Sequence, residues 1–177
     1  MVFSYYNRLN AVQKRVYRKS DEIHAIPLPN APDLHPFVRD LSSALENENR
    51  ALAEQSCQKL AMGMLAGLKA PPVRIALLAA RPRASWGELH GLYVPVQGRT
   101  SAAITVWMRT AKRRQVVAFR SFLRTLLHEI CHHLDYELFK LSESYHTEGF
   151  YKRESSLFYQ LMSGQREVRT RGNEELR

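Results

Sequence analysis

Residues 128 to 132 read His-Glu-Ile-Cys-His, two imidazoles four positions apart with a carboxylate between them. At about 3.6 residues per turn this spacing places both rings on one helical face, one turn apart, so that both can reach a single tetrahedral ion. Zn²⁺ is the expected metal. Glu129 is one step around the helix, beside the coordination position left open for water. There it can take a proton from water and later deliver it to a leaving amine. Such chemistry requires a helix, and one is written around the motif. Val117, Phe122, Leu126, Ile130, Leu134 and Leu138 recur at helical spacing from residue 115 to about 141.

Catalytic zinc usually takes three protein ligands and a water, so a third must come from downstream. His146 follows a loop long enough to reverse the chain and is the first choice, with Glu148 and Glu154 as rivals. His133 points about 100° away from His132 and belongs at the surface or behind a ligand. Asp135 suits orienting an imidazole better than binding the ion. A tetrahedral oxyanion would need a donor, for which Tyr145 is the leading choice, beside Tyr151, His90 and Arg109. Cys131 lies inside the motif but points away from His128 and reads as a small buried filler. Trp86, Trp107 and Phe122 read as core or groove-lining residues.

The remaining elements must hold these groups in place. Residues 7 to 20 carry Leu9, Val12 and Val16 in a short amphipathic helix. A connector from 24 to 36 contains four prolines, and residues 37 to 68 fit one long helix or two with a break. Three strands are expected at 73 to 80, 89 to 96 and 102 to 110, forming a small meander or mixed sheet. The motif helix follows, then a last helix from about 149 to 162. The predicted fold is α+β: N-terminal helices, a small sheet, the motif helix and a C-terminal helix. A single domain is expected over residues 1 to 165, with its catalytic core at 73 to 162 and a basic, flexible tail at 166 to 177.

The 177 residues are 45% hydrophobic, enough for a core. Two cysteines far apart exclude a disulfide framework or a cysteine zinc ribbon, so any metal must be held by histidines and carboxylates. No apolar run reaches the roughly 18 residues of a membrane span, and the first residues lack the order of a signal peptide. A cytoplasmic protein that does not engage membranes is expected. The net charge of +9 permits weak nucleic-acid binding through basic patches at 8 to 19, 109 to 124 and 166 to 177, but solvated faces are the preferred reading of them.

From residue 73 to 162 the sequence resembles the SprT-like and related small single-domain zincin metallopeptidases. In that group an H-E-x-x-H helix is followed by a loop, a third ligand histidine and an aromatic residue, and His146-Thr147-Glu148-Gly149-Phe150 is similar to that segment. The resemblance implies His128, His132 and His146 as ligands, Glu129 as base, and peptide or protein as substrate. It also implies a small sheet whose edge strand binds an extended substrate, a part that residues 102 to 110 would play. These residues include no cysteine-rich zinc ribbon like that of better-known members, so the resemblance leaves DNA-linked proteolysis open. Two readings stand beside proteolysis: a zinc-binding hydrolase of another kind, or a zincin-like binding module without turnover. A basic nucleic-acid-binding protein comes third.

Overall fold

A computed structural model describes residues 3–84, 87–98 and 100–174. A 3₁₀ turn at Ser4–Arg8 leads into α1 (Ala11–Asp21), which Asn10 and Gln13 begin with a reciprocal capping box. Then come α2 (Ala31–Glu46), α3 (Arg50–Gly67) and β1 (Arg74–Ala80). The two-residue strands β2 (Arg83–Ala84) and β3 (Gly87–Glu88) pair with each other, and β4 (Gly91–Val94) and β5 (Ala103–Arg109) follow. The motif helix α4 (Phe119–Glu137) and the long α5 (Glu148–Glu174) complete the chain. The fold is α+β, with five helices and a three-stranded mixed sheet among the described residues. None of these helices is long and apolar enough to cross a membrane.

In this sheet β5 is central, parallel to β1 and antiparallel to β4. The edges are therefore β1, whose outer main-chain groups bond to Arg50, Glu54 and Gln58 of α3, and β4, so the open edge is β4 and not residues 102 to 110 as the sequence suggested. Strand order is a long-range property, yet β5 does carry a local sign of its place. Its successive residues Val106, Trp107 and Met108 are all buried, as expected of a strand covered on both faces.

Three further expectations change. Of the two readings of 37 to 68 the structure has two helices, but the first starts earlier than expected, at Ala31 inside the connector, taking in Pro32 near its start and Pro36 in its second turn. Pro32 costs nothing there because the first amides have no helical partner, whereas Pro36 forgoes one helical hydrogen bond. In α1 the buried residues are Tyr17 and Ser20, while Val12 is exposed. The helix is held by an aromatic cluster and by bonds at its C-terminal end rather than by an aliphatic stripe. Finally, α5 continues to Glu174, through most of the segment read as a flexible tail. Residues 175–177 lie outside the described residues, as does Trp86.

Phe122, Leu123, Leu126, Leu127, Ile130, Cys131 and Leu134 bury one face of α4 in the main core. Its other face is thereby fixed toward β4 and the start of α5. The chain reverses after α4 through Lys140, which adopts a left-handed backbone (φ 52°), and the Leu141 amide returns to the Asp135 carbonyl. This tight exit brings residues 144 to 147 back beside the motif.

Candidate metal centre

The three histidines named from sequence converge. His146 Nε2 lies 2.9 Å from His128 Nε2 and 3.1 Å from His132 Nε2. Bonds of about 2.0–2.1 Å from a tetrahedral ion would place such nitrogens about 3.3 Å apart, close to what is seen. Glu148 does not join the cluster and pairs with Lys152 along α5. Glu154 comes near, but at the opposite nitrogen of His128.

The outer nitrogens decide where the protons sit. His128 Nδ1 is 3.2 Å from Glu154 Oε2, and a carboxylate can only accept, so Nδ1 carries a proton and Nε2 is the nitrogen whose lone pair a metal would use in the neutral tautomer. His132 Nδ1 is 2.7 Å from Ser144 Oγ, whose own proton goes to Asp135 Oδ2 at 2.7 Å. Ser144 Oγ must then accept from Nδ1–H, and His132 Nε2 is unprotonated. Burial, together with the neighbouring His128 and His146, pushes the His132 imidazolium down to about 3, keeping the ring neutral. His146 shifts in the same direction, chiefly because the atoms crowding its ring desolvate it although the residue as a whole is exposed. One proton on His146 Nε2 can satisfy only one of the two contacts it makes. The arrangement gathers three imidazole nitrogens closely enough to hold one metal ion.

Each of the two clustered α4 histidines, His128 and His132, is backed by a carboxylate and an arginine. Arg124 Nη1 donates to Glu154 Oε1 at 3.1 Å, and Arg153 Nη2 donates to Asp135 Oδ1 at 2.7 Å. The second pair is fully buried. Arg153 also donates to the carbonyls of Ser20 and Ile23 and to Ser20 Oγ, so one guanidinium joins the C-terminal end of α1, α4 and α5. Phe150 lies behind the cluster, its ring centroid 4.8–5.2 Å from the three imidazoles.

Glu129 is nearly buried between α4 and β4, and burial raises its carboxyl to about 7, although His128 and the Tyr93 backbone pull it down. A carboxylate with that proton affinity is matched to general-base work near neutrality. Gly91 makes the approach possible, because a β-carbon there would collide with the Glu129 carboxylate. The open cleft above has a volume of about 670 Å³. Residues 88 to 93 of the β3–β4 segment form one wall, and His128, Glu129, His132, Tyr136, His146 and Glu154 line the rest.

Among the oxyanion candidates, His90 reaches this lining and Tyr145 does not. The Tyr145 ring stacks against Tyr5 and tilts against Tyr17, away from the cleft. Arg109 pairs with Glu48 at the far end of β5. Tyr151 sits beside the cluster, its centroid 5.9 Å from that of His146. His133 is buried rather than superficial, with Nε2 2.8 Å from the Pro71 carbonyl and Nδ1 3.2 Å from the Tyr93 hydroxyl. Cys131 is a buried filler, as read. Sequence reading missed Ser144, Arg153, Gly91 and Tyr136. Helical spacing could have flagged Tyr136, four residues after His132, and Arg153, which falls on the apolar Phe150–Leu157 face of α5. Ser144 carries no local sign.

A comparison with protein-family models, curated proteins and solved structures finds no match. The site's own geometry therefore carries what can be said of its chemistry.

Proposed function

We propose that the protein is a zinc-dependent metallopeptidase of the SprT-like zincin kind, with His128, His132 and His146 as ligands and Glu129 as general base. The observation that carries this reading is the convergence of three Nε2 atoms, two of them on rings whose outer nitrogens are hydrogen-bonded, beside a carboxylate held at the mouth of an open cleft. All-nitrogen ligation with room for a further ligand matches catalytic zinc.

When bound, zinc supplies a Lewis acid that polarises a carbonyl and acidifies water. Glu129 takes the proton of the attacking water and returns it to the departing amine. Its buried setting raises its proton affinity enough for both transfers. The free edge of β4 lies along the cleft, where an extended peptide can add as a further strand and bring its scissile bond past Glu129. His90 and Tyr136 line the cleft and are the candidates to meet a developing oxyanion.

The test pairs metal content with proteolysis. The purified protein is expected to hold one zinc per chain and to cleave an unfolded protein, with chelators abolishing cleavage. Glu129→Gln is expected to keep the zinc and lose the cleavage. Full zinc occupancy with no cleavage of any unfolded protein or peptide library would refute the peptidase reading and leave a binding module or another hydrolase.

A further inference from the structure

The three ligands are held in different ways. His128 and His132 stand on one rigid helix, and each has its outer nitrogen bound within a carboxylate relay. His146 lies in the segment between α4 and α5 and is exposed, and among the described residues no side chain bonds its Nδ1. Its firmest anchor is a main-chain one. The Tyr5 hydroxyl donates to the His146 carbonyl at 2.9 Å, from 141 residues earlier in the chain.

Tyr5 is itself fixed. Its ring stacks on Tyr145, the residue before the ligand, and meets the edge of buried Tyr17. The Phe3 amide donates to the Tyr17 hydroxyl, and the Phe3 ring tilts against Tyr151 just after the ligand. On the other side of His146, Asp21 at the end of α1 accepts from the Gly149 amide, where a β-carbon would strike the Asp21 carbonyl. Residues 3 to 21 thus grip the ligand segment at both ends.

We propose that Tyr5 is a positioning residue of the metal centre, and that the N-terminal arm sets metal affinity by holding His146 in reach of the other two ligands. This rests on the metal reading above. Loss of the hydroxyl leaves the aromatic packing in place but frees the His146 backbone. An ion then has two fixed ligands and one that must be ordered as it binds. A neutral hydrogen bond of this kind corresponds to about a three- to tenfold change in affinity.

The experiment measures zinc affinity by competition with a chromophoric chelator for full-length wild type, Tyr5→Phe, His146→Ala and the double variant. Metal-free unfolding is followed in parallel. Tyr5→Phe is expected to weaken zinc about three- to tenfold, to leave metal-free unfolding nearly unchanged, and to alter the visible spectrum of the Co²⁺-substituted protein. In the His146→Ala background the same substitution is expected to change zinc affinity less than about twofold, since the ligand it positions is gone. The inference is overturned if Tyr5→Phe leaves wild-type affinity unchanged, or if it weakens affinity equally in both backgrounds, which marks a general structural effect. If His146→Ala itself binds zinc like wild type, the metal reading fails first and takes the inference with it.

Discussion

Replacing Ser144 by alanine tests the tautomer argument most directly. The hydroxyl accepts from His132 Nδ1 and donates to Asp135 Oδ2, each at 2.7 Å, and is the only described link between that ligand and its carboxylate. Without it, His132 can carry its proton on Nε2, the atom needed for the metal, and the ring is free to turn. Partners of this kind behind metal-bound histidines are worth about 10- to 100-fold in affinity, or about 1.4–2.7 kcal/mol. Ser144→Ala is therefore expected to weaken zinc binding within that range in a competition titration. Ser144→Thr, which keeps the hydroxyl, is expected to recover most of the loss. Asp135 stays paired with Arg153, so the fold should survive. Unchanged zinc affinity in Ser144→Ala, with the metal still bound through His132, would refute the claim that this relay fixes the ligand's tautomer.

Gly91→Ala is expected to cut peptidase activity at least about tenfold while zinc affinity holds within about threefold, because the added methyl displaces Glu129 and touches none of the ligands; parallel activity and zinc titrations check this split. Arg153→Met should lower the stability to urea unfolding by about 3–5 kcal/mol, since it leaves the Asp135 carboxylate buried and unpaired and releases the end of α1. In the metal-free protein, the Glu129 carboxyl is raised from 4.5 to about 7, so its stabilising contribution is full below about pH 4.5 and is lost as pH rises through 7. At about 1.4 kcal/mol per pH unit over the interval from 4.5 to about 7, the loss is at most about 3–4 kcal/mol. Glu129→Gln should accordingly gain stability over wild type between pH 5 and 8 in chelator, as measured by urea unfolding, and a difference flat with pH would contradict it.

The three clustered histidines were legible because their signals are local. An i, i+4 pair on a periodic helix reads directly as one face, and His146 followed from the length of the loop and the resemblance around it. The β4 edge was not legible, because adjacent strands in sequence need not be adjacent in a sheet, although the unbroken burial of Val106, Trp107 and Met108 hinted that β5 is central. Tyr145 shows the limit at the scale of one side chain. Its neighbour His146 faces the site, yet the Tyr145 ring turns toward Tyr5 and Tyr17, partners that lie far away in the sequence. Arg153 went unread because a charge inside a helix is ordinarily solvated. Only the carbonyls at the end of α1 and the Asp135 carboxylate make its burial tolerable.

The brevity of β4 has a consequence for how molecules of this protein behave toward one another. An unpaired strand edge is an adhesive surface for any chain that can lie alongside it, including another copy. Here the edge is four residues long and is followed at once by Pro95, which has no amide proton to offer a neighbouring strand. A guest can therefore form only a few ladder bonds before the proline interrupts them. Such a surface favours brief, reversible occupancy over runaway strand stacking, so the chain can keep an open edge without becoming a seed for its own aggregation.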